Sequence, residues 1–157
     1  SDSGTLLSLI LMLIGGSPGS TAGGLKTTTI AVVVIAVFAM AKGGDDINTF
    51  KRRIVSDVVK QSAVIILIYL FAVMLSSMII CSVEGLGMSQ VLFETASAAG
   101  TVGVSKGITN QISVISKIIL MIMMYGGRIG GLSLVLVFGQ RKPEAPVKRP
   151  TEQILIG

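Results

Sequence analysis

The chain has 157 residues, of which 51% are hydrophobic and 13% charged, with a mean hydropathy of +0.84 and no His or Trp. This composition is rare in a soluble domain and favours an integral membrane protein; with no His and a single cysteine, Cys81, it also disfavours a transition-metal site and an intrachain disulfide. The net charge of +5 comes from basic residues beside apolar runs, which membrane orientation explains better than nucleic-acid binding.

A glycine-rich interruption separates the first two apolar runs, residues 5–14 and 25–40. One continuous helix over 5–41 would be about 55 Å long, well beyond the ~30 Å hydrocarbon core of a bilayer. Five glycines and one proline in the interruption predict a broken span with an unwound centre. Its residues are Gly15, Gly16, Ser17, Pro18, Gly19, Ser20, Thr21, Ala22, Gly23 and Gly24. Because the chain starts with Ser in an apolar context, we expect a fragment of a longer protein.

Two basic segments define the orientation that the sequence predicts. Residues 42–56 and the tail 140–157 each carry several Lys and Arg residues, which places both on the cytoplasmic side. Apolar stretches at 63–81 and 113–138 are each long enough to span a membrane. An even number of crossings must separate two cytoplasmic segments, so residues 90–107 are predicted to enter the membrane and return to the same face.

This re-entrant segment has two halves. Residues 90–99 predict a helix of two to three turns, and residues 100–107 are extended and punctuated by glycine. Non-helical backbone at membrane depth is tolerated where protein buries it or where it lines a water-filled path. We therefore expect backbone carbonyls aimed at a cation, with Gly103 supplying the unusual φ and ψ angles. The candidate ligands are Thr101, Val102, Gly103 and Val104. The alternative is an ordinary extramembrane loop.

Two positive charges lie deep in apolar stretches. Arg128 in the last span costs roughly 2.5–3.5 kcal/mol at that depth and is a functional candidate. We expect it to hydrogen-bond the carbonyls of residues 15–24 and hold this loop across the path as a gate; the alternative is a purely structural staple. Lys26 could repel cations, cap carbonyls or extend toward the cytoplasmic face. Glu94 could pair with Lys117 or attract cations.

The chain resembles a known family along most of its length. Residues 15–29, GGSPGSTAGGLKTTT, closely resemble the intramembrane loop of bacterial Trk/Ktr potassium-uptake subunits, of the Trk/Ktr/HKT superfamily. Residues 93–105 are similar to the family's fourth pore helix and filter, and residues 126–130 to its last helix with a gating arginine. Residues 150–157 resemble the usual C-terminal end.

The resemblance implies an all-α integral membrane fold with four helix–pore-helix–filter–helix repeats of a potassium-channel-like pore. Residues 1–41 would be the second helix of the third repeat, broken by the loop 15–24, and 42–56 a cytoplasmic loop. Residues 57–139 would form the fourth repeat, and 140–157 a cytoplasmic tail. The implied partners are membrane lipid, the missing repeats of the same polypeptide, a second copy in a homodimer and a cytosolic nucleotide-binding ring of the RCK/KTN type. Nucleic acid is not among them.

The function implied is that of part of the ion-conducting subunit of a potassium uptake system in the cell membrane, not an enzyme. No covalently bound cofactor is expected, and K⁺ is the transported ion, held by the carbonyls of residues 101–104. The family's filter glycine corresponds to Gly103, and serine there accompanies sodium permeation elsewhere in the superfamily, which favours K⁺. Two alternatives stay open: a secondary transporter binding an anion at the broken helix near Lys26, and a non-conducting scaffold whose glycine-rich helices merely pack.

Overall fold

A computed structural model of the chain describes residues 2–20, 22–42, 48–49 and 52–129. The elements are α1 (Asp2–Leu13), α2 (Thr27–Ala41), β1 (Asn48–Thr49), β2 (Arg52–Arg53), α3 (Ser56–Glu84), α4 (Met88–Gly100) and α5 (Val114–Ile129). The regular secondary structure of the described residues is thus helical apart from one short antiparallel ribbon, β1 with β2. A helical fold agrees with the all-α prediction; the ribbon, which lies in the basic segment, was not predicted.

Helix α3 is the long apolar helix of the chain. It has 29 residues and, within the described part, is the one helix whose length and composition suffice to cross a membrane. One face carries the buried side chains Val73, Ser77 and Ile80, at helical spacing, while Leu67 and Phe71 on other faces are exposed, as expected of a surface that meets lipid. The helix ends at Gly85 in the left-handed conformation, where glycine is the residue without a steric penalty.

The first apolar region is two helices rather than one. Helix α1 ends at Leu13 and α2 begins at Thr27, with no helix between them. The amide of Gly15 donates to the carbonyl of Leu25 at 2.7 Å. The amide of Thr27 donates to the carbonyl of Gly16 at 3.3 Å. These two bonds join the ends of the interruption, so the chain leaves α1, forms a closed loop and enters α2 from nearly the same point.

Helix α4 occupies the centre of the structure, in contact with α1, α3 and α5. It is buried from Phe93 to Gly100, and its small residues allow the surrounding backbones to come close. Thr95, fully buried, shares a hydrogen bond of 2.6 Å with Ser77 of α3. The hydrophobic core lies beside this contact and consists of Ile80, Val91, Ala98, Ile108, Ile112 and Leu120.

A carboxylate joins the end of α3 to the start of α5. Glu84 accepts hydrogen bonds from the Ser113 amide at 2.8 Å and from the hydroxyls of Ser113 and Ser116 at 2.5 Å each. A negative charge at a helix N-terminus also interacts favourably with the positive end of the helix dipole. This contact fixes where α5 begins, within one residue of the predicted start of the last span.

Several predictions fall outside the described residues. They concern Thr21 in the loop, residues 43–47 and 50–51 of the basic segment, residues 130–139 at the end of the last span, and the tail 140–157.

Candidate functional site

The candidate filter strand, the non-helical segment 101–107, begins where α4 ends. Thr101 takes the left-handed conformation (φ 53°, ψ 37°), and the next amide, that of Val102, donates back to the Ser97 carbonyl at 3.0 Å. Gly103 also has positive φ, at 80°. A positive φ is uncommon for any residue except glycine and is strained for a β-branched one such as threonine. Two such residues within three positions turn the backbone away from an ordinary extended strand, as the sequence predicts for Gly103.

Side chains of α4 hold the following residues in place. The Ser97 hydroxyl accepts the amide proton of Val104 at 3.0 Å. Oε1 of Glu94 accepts from the Lys106 amide at 2.9 Å and from the Ser105 hydroxyl, and Oε2 accepts from the Thr109 hydroxyl at 3.2 Å. The hydrogen-bond partners of Glu94 are thus on the strand and at Thr109 just after it. From the sequence, pairing with Lys117 and attraction of cations were both open, and the second stays a prediction. Ser97 was missed; a serine on a helix of small apolar residues was the available signal.

A cavity of about 330 Å³ lies along this strand. It is lined by residues of α4, the strand and α5: Glu94, Ser97, Ala98, Thr101, Gly103, Val104, Ser105, Thr109, Leu120 and Met124. Most of the lining surface is apolar, and the polar side chains among the lining residues are hydroxyls and one carboxylate, whose oxygens are of the type that hard cations prefer.

The glycine-rich loop docks at the start of the strand. The amide of Gly23 donates to the side-chain oxygen of Thr101 at 2.9 Å, and the amide of Gly24 donates to the carbonyl of Gly127 in α5 at 3.3 Å. Both loop glycines are buried. Three segments that are distant in sequence, the candidate gate loop, the filter strand and the last helix, therefore meet at one point.

The approach at this point leaves no room for side chains. A Cβ atom on Gly127 would lie 1.9 Å from the carbonyl oxygen of Ala99, and one on Gly23 would lie 2.5 Å from Oγ1 of Thr101. Both distances are far below contact distance. Glycine at these two positions is therefore required by packing.

The two candidate gating charges are Lys26, next to the loop in sequence, and Arg128 at the end of α5. The ammonium of Lys26 donates to the carbonyl of Ala22 at 2.7 Å and to that of Ser20 at 3.4 Å, so of the three roles considered for it the structure supports carbonyl capping. Arg128 directly follows Gly127, whose carbonyl receives the loop. Its hydrogen bond to the loop stays a prediction.

A second cavity of about 360 Å³ lies between α3 and α5, against the loop. Its lining is mostly apolar and includes Ile68, Tyr69, Ile122, Gly126 and Gly24. The hydroxyl of Tyr69 is buried here and has no hydrogen-bond partner among the described residues. Sequence reasoning did not single out this tyrosine.

Comparison with known proteins identifies relatives along the whole chain. The sequence profile of the TrkH family, described as a cation transport protein, matches residues 1–148. The chain is 36% identical over its full length to the Ktr system potassium uptake protein D of Bacillus subtilis, covering 35% of that protein. It is 36% identical to the potassium/sodium uptake protein NtpJ of Enterococcus hirae, with 100% of the chain and 36% of that protein aligned.

The Ktr system potassium uptake protein B of Vibrio alginolyticus is 32% identical, with 97% of the chain and 33% of that protein aligned. The chain spans about a third of the length of these curated relatives. The relatives and the family profile together confirm the resemblance that the glycine-rich loop and the strand indicated: this chain belongs to the TrkH family of cation transport proteins.

Proposed function

We propose that this chain is part of the ion-conducting subunit of a potassium uptake system, in which K⁺ passes the carbonyls of residues 101–104 and the loop 15–24 gates the path. The observation that carries the proposal is the hydrogen bond from the Gly23 amide to Thr101, because it joins the loop directly to the first residue of the strand. Three relatives of the chain bear names that state potassium uptake.

The filter role draws support from the conformation of the strand. Carbonyl oxygens replace the hydration shell of K⁺ only when several of them face the ion. Positive φ at Thr101 and Gly103 departs from the alternation of an extended strand, and α4 holds the strand along one side through Ser97 and Glu94. In the complete protein, the repeats absent from this chain supply the other strands around the path, and 57–139 forms the fourth repeat.

The gate role draws support from the loop's anchors. Residues 1–41 are one broken membrane helix, the loop 15–24 lies beneath the filter, and Lys26 and Arg128 hold it there. The Lys26 ammonium already caps two loop carbonyls, and a loop held by few, exchangeable hydrogen bonds can move without unpacking a helix. On this proposal segments 42–56 and 140–157 face the cytoplasm, where a nucleotide-binding ring acts on the gate, and the subunit forms a homodimer.

Rubidium uptake by the complete protein tests the proposal, in cells that lack their own potassium uptake. Wild type is compared with Gly103→Asp and with Gly85→Asp as the matched control. Both glycines have positive φ and open space around them, so the substitution introduces similar backbone strain, but Gly85 lies at the end of α3. We expect potassium to inhibit rubidium uptake by the wild type and sodium to affect it little. We expect Gly103→Asp to abolish uptake and Gly85→Asp to retain it.

The other outcomes separate the alternatives. Equal uptake by Gly103→Asp and wild type, at equal abundance in the membrane, would remove the strand from the path and favour a packing role. Inhibition by an anion would favour a secondary transporter with its site at the broken helix. If sodium inhibits uptake as well as potassium does, the filter proposal is retained and the preference for potassium over sodium is rejected.

A further inference from the structure

We propose that Glu94 is the positioning residue of the filter strand, that its hydrogen bonds to the strand maintain the preference for potassium over sodium, and that its buried negative charge strengthens cation binding. The inference rests on the proposed function, because it concerns the same strand. Glu94 belongs to α4 and is 7% exposed. A buried charged side chain in an apolar setting is costly unless its hydrogen bonds are satisfied, so its presence requires a reason.

The hydrogen bonds of Glu94 all reach the strand and the turn after it. Its two carboxylate oxygens accept three bonds, from the Ser105 hydroxyl, the Lys106 amide and the Thr109 hydroxyl. All three partners can donate, so an ionised carboxylate, which only accepts, satisfies this arrangement. These bonds are charge-assisted and therefore stronger than those between neutral groups.

Glu94 and Ser97 together hold the backbone at alternate positions. Ser97 receives the amide of Val104, and Glu94 receives that of Lys106. Both residues lie one turn apart on the same helix. The part of the strand after Gly103 is thus fixed to a buried helix by side chains of that helix, whereas the side chain of Thr101 at its start bonds the loop.

The network extends one step beyond Glu94. The hydroxyls of Ser105 and Thr109 are 2.9 Å apart, and the Ser105 oxygen also accepts the amide of Gly107 at 2.8 Å. The Lys106 ammonium lies 5.2 Å from the centre of the Phe93 ring, over its face. Each residue from Ser105 to Gly107 therefore has a contact that limits its movement.

Charge gives Glu94 a second effect on the strand. Glu94 lines the same cavity of about 330 Å³ as Thr101, Gly103 and Val104. A negative charge screened little by water favours a cation nearby. A strand held at a set spacing also selects among cations by size and by the number of oxygens that reach them. Loss of the charge alone should weaken cation binding, and loss of the anchoring should weaken discrimination.

The first test is Glu94→Gln in the complete protein, with rubidium uptake measured against potassium and sodium. Glutamine keeps the shape; its carbonyl can accept from the Lys106 amide and the Ser105 hydroxyl, and its NH₂ can donate to Thr109. Glu84→Gln is the matched control, because Glu84 also accepts three hydrogen bonds from serine residues, yet it joins α3 to α5 away from the strand.

We expect Glu94→Gln to raise the KM for rubidium by about tenfold, the size of one lost charge-assisted interaction, while Glu84→Gln leaves KM unchanged. Thr109→Val and Ser105→Ala remove single donors and keep the charge. We expect both variants to reduce the difference between potassium and sodium in their inhibition of rubidium uptake. We expect them to change the KM for rubidium less than Glu94→Gln does. They also test the proposal if Glu94→Gln fails to accumulate, because unchanged competition in both would then overturn it.

The failure of this inference is distinguishable from that of the proposed function. Wild-type KM and wild-type sodium competition in Glu94→Gln, with uptake abolished by Gly103→Asp, would overturn the role of Glu94 and retain the filter. Uptake that survives Gly103→Asp would overturn the filter itself. Equal effects of Glu94→Gln and Glu84→Gln would show a general loss of structure and would also overturn the specific role.

Discussion

The amide of Gly23 donates a hydrogen bond to the side-chain oxygen of Thr101 at 2.9 Å, joining residues 78 positions apart in sequence. The donor belongs to the glycine-rich loop and the acceptor to the first residue of the strand after α4. A movement of the loop must break this bond. The state of the proposed gate and the conformation at the start of the proposed filter are therefore coupled through one hydroxyl.

Thr101→Val should weaken that coupling. Valine keeps the branched shape but removes the acceptor, which leaves the buried Gly23 amide unpaired at a cost of about 1–3 kcal/mol. We expect basal rubidium leak through the complete protein to rise by about tenfold, since 1.4 kcal/mol corresponds to one decade. Thr101→Ser, which keeps a hydroxyl, is the control. Equal leak in the two variants would show that the hydrogen bond does not hold the loop.

Gly127→Ala and Gly126→Ala, adjacent in α5, should differ sharply. A Cβ on Gly127 would lie 1.9 Å from the Ala99 carbonyl oxygen, and one on Gly126 would meet nothing within 4 Å. We expect Gly127→Ala to lower the free energy of unfolding by about 2 kcal/mol or more, because the added methyl group displaces α5 from α4. The second should gain up to about 1 kcal/mol in helix propensity. Thermal aggregation in detergent measures both; similar melting temperatures would contradict the close approach of the two helices.

Lys26→Met should loosen the loop without altering the strand. The substitution removes the ammonium that donates to the carbonyls of Ala22 and Ser20 but keeps an apolar stem of similar length. We expect faster amide hydrogen exchange across residues 15–24, by roughly tenfold for the loss of about 1.5 kcal/mol in charged hydrogen bonds. Lys60→Met, at an exposed position of α3, is the control. Unchanged exchange in the loop would rule out the capping role.

Tyr69→Phe should stabilise the protein. The Tyr69 hydroxyl is buried without a partner among the described residues, and a desolvated hydroxyl that forms no hydrogen bond costs about 1–3 kcal/mol. We expect a higher melting temperature in detergent. Tyr125→Phe, at a side chain that is 71% exposed, should change it little. A lower melting temperature for Tyr69→Phe would mean that the rest of the polypeptide supplies an acceptor.

Local sequence patterns predict the main secondary-structure elements. Glycine and proline in 15–24 indicated the break between α1 and α2, because neither residue is favourable inside a helix. Continuous apolar composition indicated α3, and the helix predicted over 90–99 is present as α4, from Met88 to Gly100. The positive φ at Gly103 was expected from its place in the strand. Each of these features depends on residues that are neighbours in sequence.

The ribbon of β1 and β2 was not readable in the same way. Strands of two residues leave no alternation of side chains to detect, and the surrounding segment is polar and basic. The hydrogen-bond partners of Glu94 could not be predicted from the sequence either, because nothing in the spacing distinguishes the Ser105 and Thr109 hydroxyls from the Lys117 ammonium. For Lys26, three roles were equally consistent with its position, and only the distance to the Ala22 carbonyl separated them.

The sequence by itself determined the class of the protein, its main helices, the break between α1 and α2 and the family, because composition, glycine placement and motif are properties of short segments. The tertiary structure alone decided that the loop, the strand and α5 meet at Gly23, Thr101 and Gly127. The physical reason is that hydrogen bonds donated by the backbone amides of Gly23 and Gly24 to distant segments leave no pattern in the sequence. They form only where packing of α4 between its neighbours brings the backbones within about 3 Å.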